Sequence, residues 1–212
     1  QTNRDITGYG FQPDFLWIKN RDVVNNFYMV DSVRGAGKRI QSNTTAGEAS
    51  EDLTVHSEFN SDGFGLGTSS SNNANKTDDD YIAWGWKAAG PPSGTLAASG
   101  ATATLSGGIG NGTIHNSATG VSQITSITQS VNQNTGFSIT KFQGAANGGT
   151  FPHNLGGAPS WVMVKKLGTS DLQSWGVWHK DLAVTTGSMV YLNSNSAETA
   201  SSGYFDYSGI DM

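Results

Sequence analysis

Apolar and polar positions alternate along the chain in short runs. In Tyr81-Ile82-Ala83-Trp84-Gly85-Trp86, the residues Ile82, Trp84 and Trp86 fall on one side and Tyr81, Ala83 and Gly85 on the other. A period of two predicts a strand with one heavily apolar face. Gly136-Phe137-Ser138-Ile139-Thr140-Lys141-Phe142 alternates in the same way, and Phe15–Ile18 and Phe27–Val30 are short apolar runs. Turn signals separate them: Gly35-Ala36-Gly37, Ser42-Asn43-Thr44 and Ser61-Asp62-Gly63. No stretch carries sustained helical periodicity, so the pattern predicts an all-β protein of antiparallel strands.

One pattern is written twice. "PDFLWIKN" begins at Pro13 and "PSWVMVKK" at Pro159, 146 residues on (159 − 13). Phe15-Leu16-Trp17-Ile18-Lys19 lies against Trp161-Val162-Met163-Val164-Lys165. Phe27–Asp31 lies against Trp175–His179, and Ile40–Asn43 against Val190–Asn193 at an offset of 150 (190 − 40). Phe59 and Gly63 align with Phe205 and Gly209, again at 146 (205 − 59). Each copy reads as a strand meander with its own aromatic core, forming one sandwich half or one domain. Proline suits the start of a strand because it has no N–H to give the ladder. The alignment predicts that Trp17 and Trp161 occupy equivalent buried positions.

Residues 90–130 differ in texture. Gly90-Pro91-Pro92-Ser93-Gly94 opens a stretch of Ala, Gly, Ser and Thr without an aromatic residue. It reads as a linker or extended segment. The β character of Ala101–Leu105 and Ile124–Ile127 leaves small-residue strands as the alternative. The organisation expected is therefore a first β-sandwich module over 1–89, a segment over 90–135, and a second, incomplete module over 136–212. The second copy ends three residues past Gly209 (212 − 209), without a counterpart of Tyr81–Trp86, and the chain begins at Gln1 rather than Met. A fragment or a processed product is the expectation, with another chain or further sequence supplying the missing strand.

Composition agrees with the strands and narrows the function. Of 212 residues, 28 are Gly and 14% are charged, where about 25% is usual. Six Trp, nine Phe and six Tyr supply buriable surface, which argues against disorder. The net charge is −5 with no basic stripe, so nucleic-acid binding has no electrostatic support. Absence of cysteine excludes disulfides and thiolate metal sites. No apolar run reaches the roughly 20 residues that span a bilayer, so membrane insertion is not expected.

Candidate chemistry is sparse. His56, His115, His153 and His179 are scattered without metal-ligand spacing. Arg34-Gly35-Ala36-Gly37-Lys38 has the wrong flanks for a phosphate loop, Ser32 before and Arg39 after, and reads as a tight turn. Asp78-Asp79-Asp80 is a solvated turn first and a calcium site second, since consecutive residues do not converge on one ion. Glu48, Glu51, Asp52, Glu58 and Asp62 are loop-borne, which gives no paired carboxylates on one strand. No Gly-x-Ser-x-Gly elbow is present. Neither a catalytic residue, a cofactor nor a resident metal is expected. Trp17, Trp84, Trp86, Trp161, Trp175 and Trp178 are candidate glycan-stacking residues, Trp84, Trp86, Trp175 and Trp178 first among them, although their apolar context favours core packing.

"GFQPDFLWIKN", "DSVRGAGKRIQSNTTAGE", "FNSDGFGLGT" and "YIAWGWKAAG" resemble a repeated β-rich domain of marine tailed-phage (cyanophage-like) structural, tail-fibre or appendage proteins. "TGFSITKFQGAANGGTFPHNLGGAPSWVMVKK" with "WGVWHKDL" resembles its sister form. The resemblance covers residues 6–89 and 136–210. It implies an antiparallel β-sandwich of jelly-roll or concanavalin-like type. It also implies a virion-associated, extracellular structural or adhesion protein. Such a module assembles with other virion chains or as a homo-oligomer and contacts a host-surface glycan. The alternative is a secreted lectin or a carbohydrate-active enzyme module.

Overall fold

The computed structural model describes residues 3–50, 56–68, 74–92, 95–96, 102–104, 111–113, 115–116, 127–144, 149–182 and 188–200. Among them there is no helix, and every strand pairing is antiparallel. The first half holds β1 (Arg4–Thr7), β2 (Phe15–Asn20), β3 (Tyr28–Asp31), β4 (Lys38–Arg39), β5 (Ala49–Ser50), β6 (His56–Asn60), β7 (Gly63–Leu66) and β8 (Tyr81–Trp86). Short strands follow: β9 (Thr95–Leu96), β10 (Thr102–Thr104), β11 (Asn111–Thr113) and β12 (His115–Asn116). The second half holds β13 (Ile127–Asn132), β14 (Phe137–Phe142), β15 (Gly149–Thr150), β16 (Trp161–Val164), β17 (Gly176–His179), β18 (Ser188–Tyr191) and β19 (Thr199–Ala200).

The sheet β3-β2-β8 is central. Its period-two alternation sends side chains to two faces, and both carry core, although Ile82 and Trp84 of β8 stay exposed. Leu16, Ile18, Tyr28 and Val30 pack against Phe64 and Leu66 of β7 and against Ala74. Phe15 and Met29 point the other way, onto Ile40 and Trp175, with Trp86, Phe137, Ile139, Met163 and Leu192 around them. A strand covered on both faces needs apolar residues at successive positions, and "FLWI" supplies them. The second strand group therefore shares a core with the first. It does not keep an aromatic core to itself, as the repeat had suggested.

The two groups pair their strands in matching registers. Phe15 stands opposite Asp31, and Trp161 stands opposite His179. Met29 bridges Ile40, and Val177 pairs with Val190. Lys38 pairs with Ser50, and Ser188 with Ala200, each residue 150 on (188 − 38; 200 − 50). The sheets differ on one side. In β3-β2-β8, β2 is flanked by two strands, whereas β16 stands at the edge of β16-β17-β18-β19.

Register also corrects the expected equivalence of Trp17 and Trp161. Phe15 and Trp161 hold the same place, as do Trp17 and Met163. Trp161 is 46% exposed, because nothing covers that end of β16 among the described residues. Within the segment expected to be a linker, Ile127–Asn132 is a six-residue strand paired along its length with Phe137–Phe142. Ile127 and Val131 are buried there. Gln129 is buried as well and is satisfied: its Nε2 donates to Thr140 Oγ1 (2.7 Å) and to the Pro152 carbonyl (2.9 Å), while its Oε1 accepts from Asn154 Nδ2 (2.9 Å).

The second group is tied to the loop between β4 and β5. Trp175 Nε1 donates to the Gln41 carbonyl (2.8 Å), Glu48 N to the Leu167 carbonyl (2.8 Å) and Lys165 Nζ to the Thr45 carbonyl (2.9 Å). Gly47 permits the approach. A Cβ there would lie 2.3 Å from the Gly168 carbonyl oxygen, closer than any side chain tolerates.

Candidate functional site

An exposed aromatic surface lies on β8 and extends over β2. Trp17 stands opposite Trp84 in the ladder. Their rings are 6.2 Å apart at 65°, and Trp17 meets Phe27 at 5.9 Å and 67°. Both pairs are edge-to-face, the arrangement that the aromatic quadrupole favours. With Trp86 they line an open cleft of about 220 Å³. Trp84 is 42% exposed and Ile82 beside it 40%. Trp86 closes the inner end of the cleft. It meets Phe15 at 5.4 Å and lies nearly parallel to Phe137 at 6.3 Å, which ties the cleft to the shared core.

Few polar groups lie near the residues that line the cleft. Trp17 Nε1 is buried and has no hydrogen-bond partner among the described residues. Lys19 Nζ lies 5.7 Å from the centre of the Phe27 ring, a cation–π contact. Phe27 N–H donates to Asn43 Oδ1 (3.1 Å), and Asn43 Nδ2 donates to Asn26 Oδ1 (2.8 Å), which places two amides beside the aromatic wall. A second, polar cleft of about 460 Å³ lies where the first group meets the β13–β14 hairpin, lined by Gln12, Asp14, Lys87 and Asn132 among others. Asp14 is buried there and accepts from Ala88 N and Gln12 Nε2, both at 2.8 Å.

Of the candidate stacking residues, Trp17, Trp84 and Trp86 share the aromatic cleft, and Trp161 on β16 lies outside its lining. Trp175 does not join them: it is 4% exposed, its indole is bonded to Gln41, and it offers no face to solvent. Trp178 stands half-buried on β17 opposite Val162, outside the cleft lining. Phe27 is not among those candidates and joins the cleft beside Trp17. Only the pairing of β2 with β8, 67 positions apart at Trp17 and Trp84 (84 − 17), brings them to the site.

The remaining candidates have structural partners. Arg34 Nε contacts Asp31 Oδ2 at 2.5 Å, and Arg34 Nη1 donates to the Lys38 carbonyl (3.0 Å) and reaches Glu48 Oε2 at 3.4 Å. Gly35 and Gly37 have φ of 97° and 76°, left-handed values that make this run a tight turn. Asp78, Asp79 and Asp80 diverge. Asp79 accepts from Asn20 Nδ2 (2.7 Å) and from Lys76 Nζ (3.0 Å), which hold its carboxyl below the usual range. Asp62 accepts from the N–H groups of Gly8 and Gly10. Glu58 is exposed on β6, and Glu51 and Asp52 lie outside the described residues.

His56 is fully buried against Phe59 (4.6 Å) and Phe64 (6.2 Å). Burial lowers its pKa to about 4. Its ring nitrogens have no partner among the described residues. Burial also lowers the pKa of His153, whose Nδ1 accepts from Leu155 N (3.1 Å). His179 is exposed, 3.6 Å from Asp181, and the side chain of His115 lies outside the described residues. Among the described residues, no three of His, Cys, Asp or Glu gather into a metal-holding group.

Fold and site together define an all-β domain with a doubly covered central sheet and an aromatic cleft at its edge. The chain belongs to the family described as "Domain of unknown function (DUF7483)", whose profile matches residues 1–210 and so spans both strand groups. No curated protein matches the chain, and no solved structure does.

Proposed function

We propose that the chain is a non-catalytic structural and attachment module of a tailed-phage virion appendage. It acts outside the cell, assembles with other chains, and holds a host-surface glycan in the cleft of Trp17, Phe27, Trp84 and Trp86. The cleft carries this reading. A pyranose ring has an apolar C–H face and a rim of hydroxyls. Trp84 offers a flat, half-exposed ring for that face, with Trp17, Phe27 and Trp86 lining the cleft beside it. The virion half rests on the resemblance of both strand groups to tail-fibre and appendage domains. Packing on both faces of β3-β2-β8 supports the sandwich form of that family.

The carboxylates favour binding over hydrolysis. Asp31 and Glu48 serve Arg34, Asp79 serves Asn20 and Lys76, and Asp62 holds the Gly8–Gly10 turn. None lines the aromatic cleft.

Two measurements test the two halves. Titration with surface polysaccharides of host bacteria should give saturable binding. Trp84→Ala should weaken it about a hundredfold, a loss of about 2.7 kcal/mol, with unchanged thermal stability. Absence of binding across the panel removes the glycan half. An antibody against the chain should decorate purified phage particles, and undecorated particles would remove the virion half.

A further inference from the structure

We infer that the corner between Trp17 and Trp84 seats a methylated ammonium group, so that the glycans held in the cleft are those that carry a choline-like substituent. The inference rests on the glycan reading above and names the chemical group that the cleft selects. What the walls are made of carries it. Trp17, Phe27, Trp84 and Trp86 line the cleft, and no carboxylate, amide or hydroxyl side chain joins them among the described residues. Trp17 meets Trp84 at 65° and Phe27 at 67°, so the rings stand at an angle to one another and do not form a flat stack. An aromatic ring is negative on its face and positive at its edge. A cation held in such an angle lies near more than one negative face.

The lining discriminates between occupants. A pyranose can lay its C–H face on Trp84, which is 42% exposed, but hydroxyls pushed deeper find no acceptor side chain among the lining residues. A primary ammonium carries three N–H donors and meets the same lack. A trimethylammonium group has no N–H to satisfy. Its charge is spread over methyl groups, which tolerate apolar walls, and it is small beside an open cleft of about 220 Å³. A neutral alkyl group of the same shape gains only from burial, without the attraction of the ring faces.

The surroundings favour the charged occupant over the neutral one. Phe27 already faces a cation: Lys19 Nζ lies 5.7 Å from its ring centre and donates to the carbonyls of Asn20 (2.5 Å) and Val23 (3.4 Å). Lys19 pairs with Ile82, and Arg21 N donates to the Asp80 carbonyl, so both basic residues stand at the start of β8. Three exposed carboxylates offset them there. Asp80 N donates to Asp22 Oδ2, and Asp78 lies two residues before Asp80. The acidic run ends four positions before Trp84 (84 − 80), about 13 Å along an extended strand. The chain as a whole carries a net charge of −5, which attracts a cationic ligand.

Calorimetric titration of the full chain with two small probes tests the inference. One is choline. The other is its neutral isostere, in which a tert-butyl group replaces the trimethylammonium. Choline should bind about tenfold more tightly than the isostere. That comparison uses the wild-type chain, so it needs no variant to fold. Trp84→Leu keeps an apolar wall and removes the ring face, and the two probes should then bind alike. Equal affinities on the wild-type chain overturn the inference, as does an absence of choline binding or a preference for choline that survives Trp84→Leu. Choline should also displace a bound surface polysaccharide. A polysaccharide that binds through Trp84 and resists choline refutes the ammonium seat while the glycan reading stands. Choline preferred over its isostere, with no polysaccharide bound, supports the seat and removes the glycan reading.

Discussion

β2 and β16 hold the same place in their sheets and live in different surroundings. β2 has β3 on one side and β8 on the other, and four of its six residues are buried. Among the described residues β16 has β17 alone beside it, and none of its four residues is fully buried. Their sequences differ little in polarity: Phe-Leu-Trp-Ile against Trp-Val-Met-Val. Neighbours, more than the strand's own residues, decide whether an apolar run becomes core or surface. Matched positions in the two groups can therefore be tested against each other.

The largest difference should appear at Phe15 and Trp161. Phe15 is 8% exposed and packs on Trp86 and Phe137. Phe15→Ala should cost about 3–5 kcal/mol in denaturant unfolding. Trp161→Ala removes a larger side chain from the matching place and should cost within about 1 kcal/mol. Equal losses would break the comparison.

Each group also has an ion pair just after its second strand. Arg34 with Asp31 is buried, both side chains 5% exposed, whereas Lys180 with Asp181 is more than half exposed. Arg34→Ala leaves Asp31 buried without its partner and should cost about 3–5 kcal/mol. Lys180→Ala should leave the unfolding midpoint unchanged, because water screens that pair.

The histidines sharpen the contrast through pH. His56 is buried with its pKa lowered to about 4, against an ordinary value of 6.5. Between those values the unfolded chain binds a proton that the folded chain refuses. Stability contributed by neutral His56 is therefore complete above pH 6.5 and is lost as pH falls toward 4, by about 3 kcal/mol. His56→Leu should flatten that part of the stability–pH curve. An unchanged slope in His56→Leu would contradict the assignment.

Much of this was legible in the residues, and for local reasons. The alternation of Tyr81–Trp86 and the run Phe15–Ile18 report strand geometry directly, and Gly35 and Gly37 report the turn. The offsets between the copies anticipate the hydrogen-bond register. What stayed hidden depends on distant partners. Trp175 is buried because its indole meets Gln41, 134 positions away (175 − 41). The stretch before Phe137 lacks aromatic residues and reads as a linker, yet Gln129 and Ser130 are buried with side-chain hydrogen bonds to Thr140, Pro152 and Gly90. The cleft needs Trp17, Phe27 and Trp84 together, and no short window of sequence contains all three.

Amide hydrogen exchange at single residues tests the central claim most directly. In dilute solution, Phe15 and Trp17 should be protected by their bonds to β8. Trp161 and Met163, in the same places of the second sheet, should exchange within about tenfold of an unstructured peptide. Slow exchange at Trp161 and Met163 in the dilute chain, matching Phe15 and Trp17, would contradict the account, because the edge of β16 would already be filled.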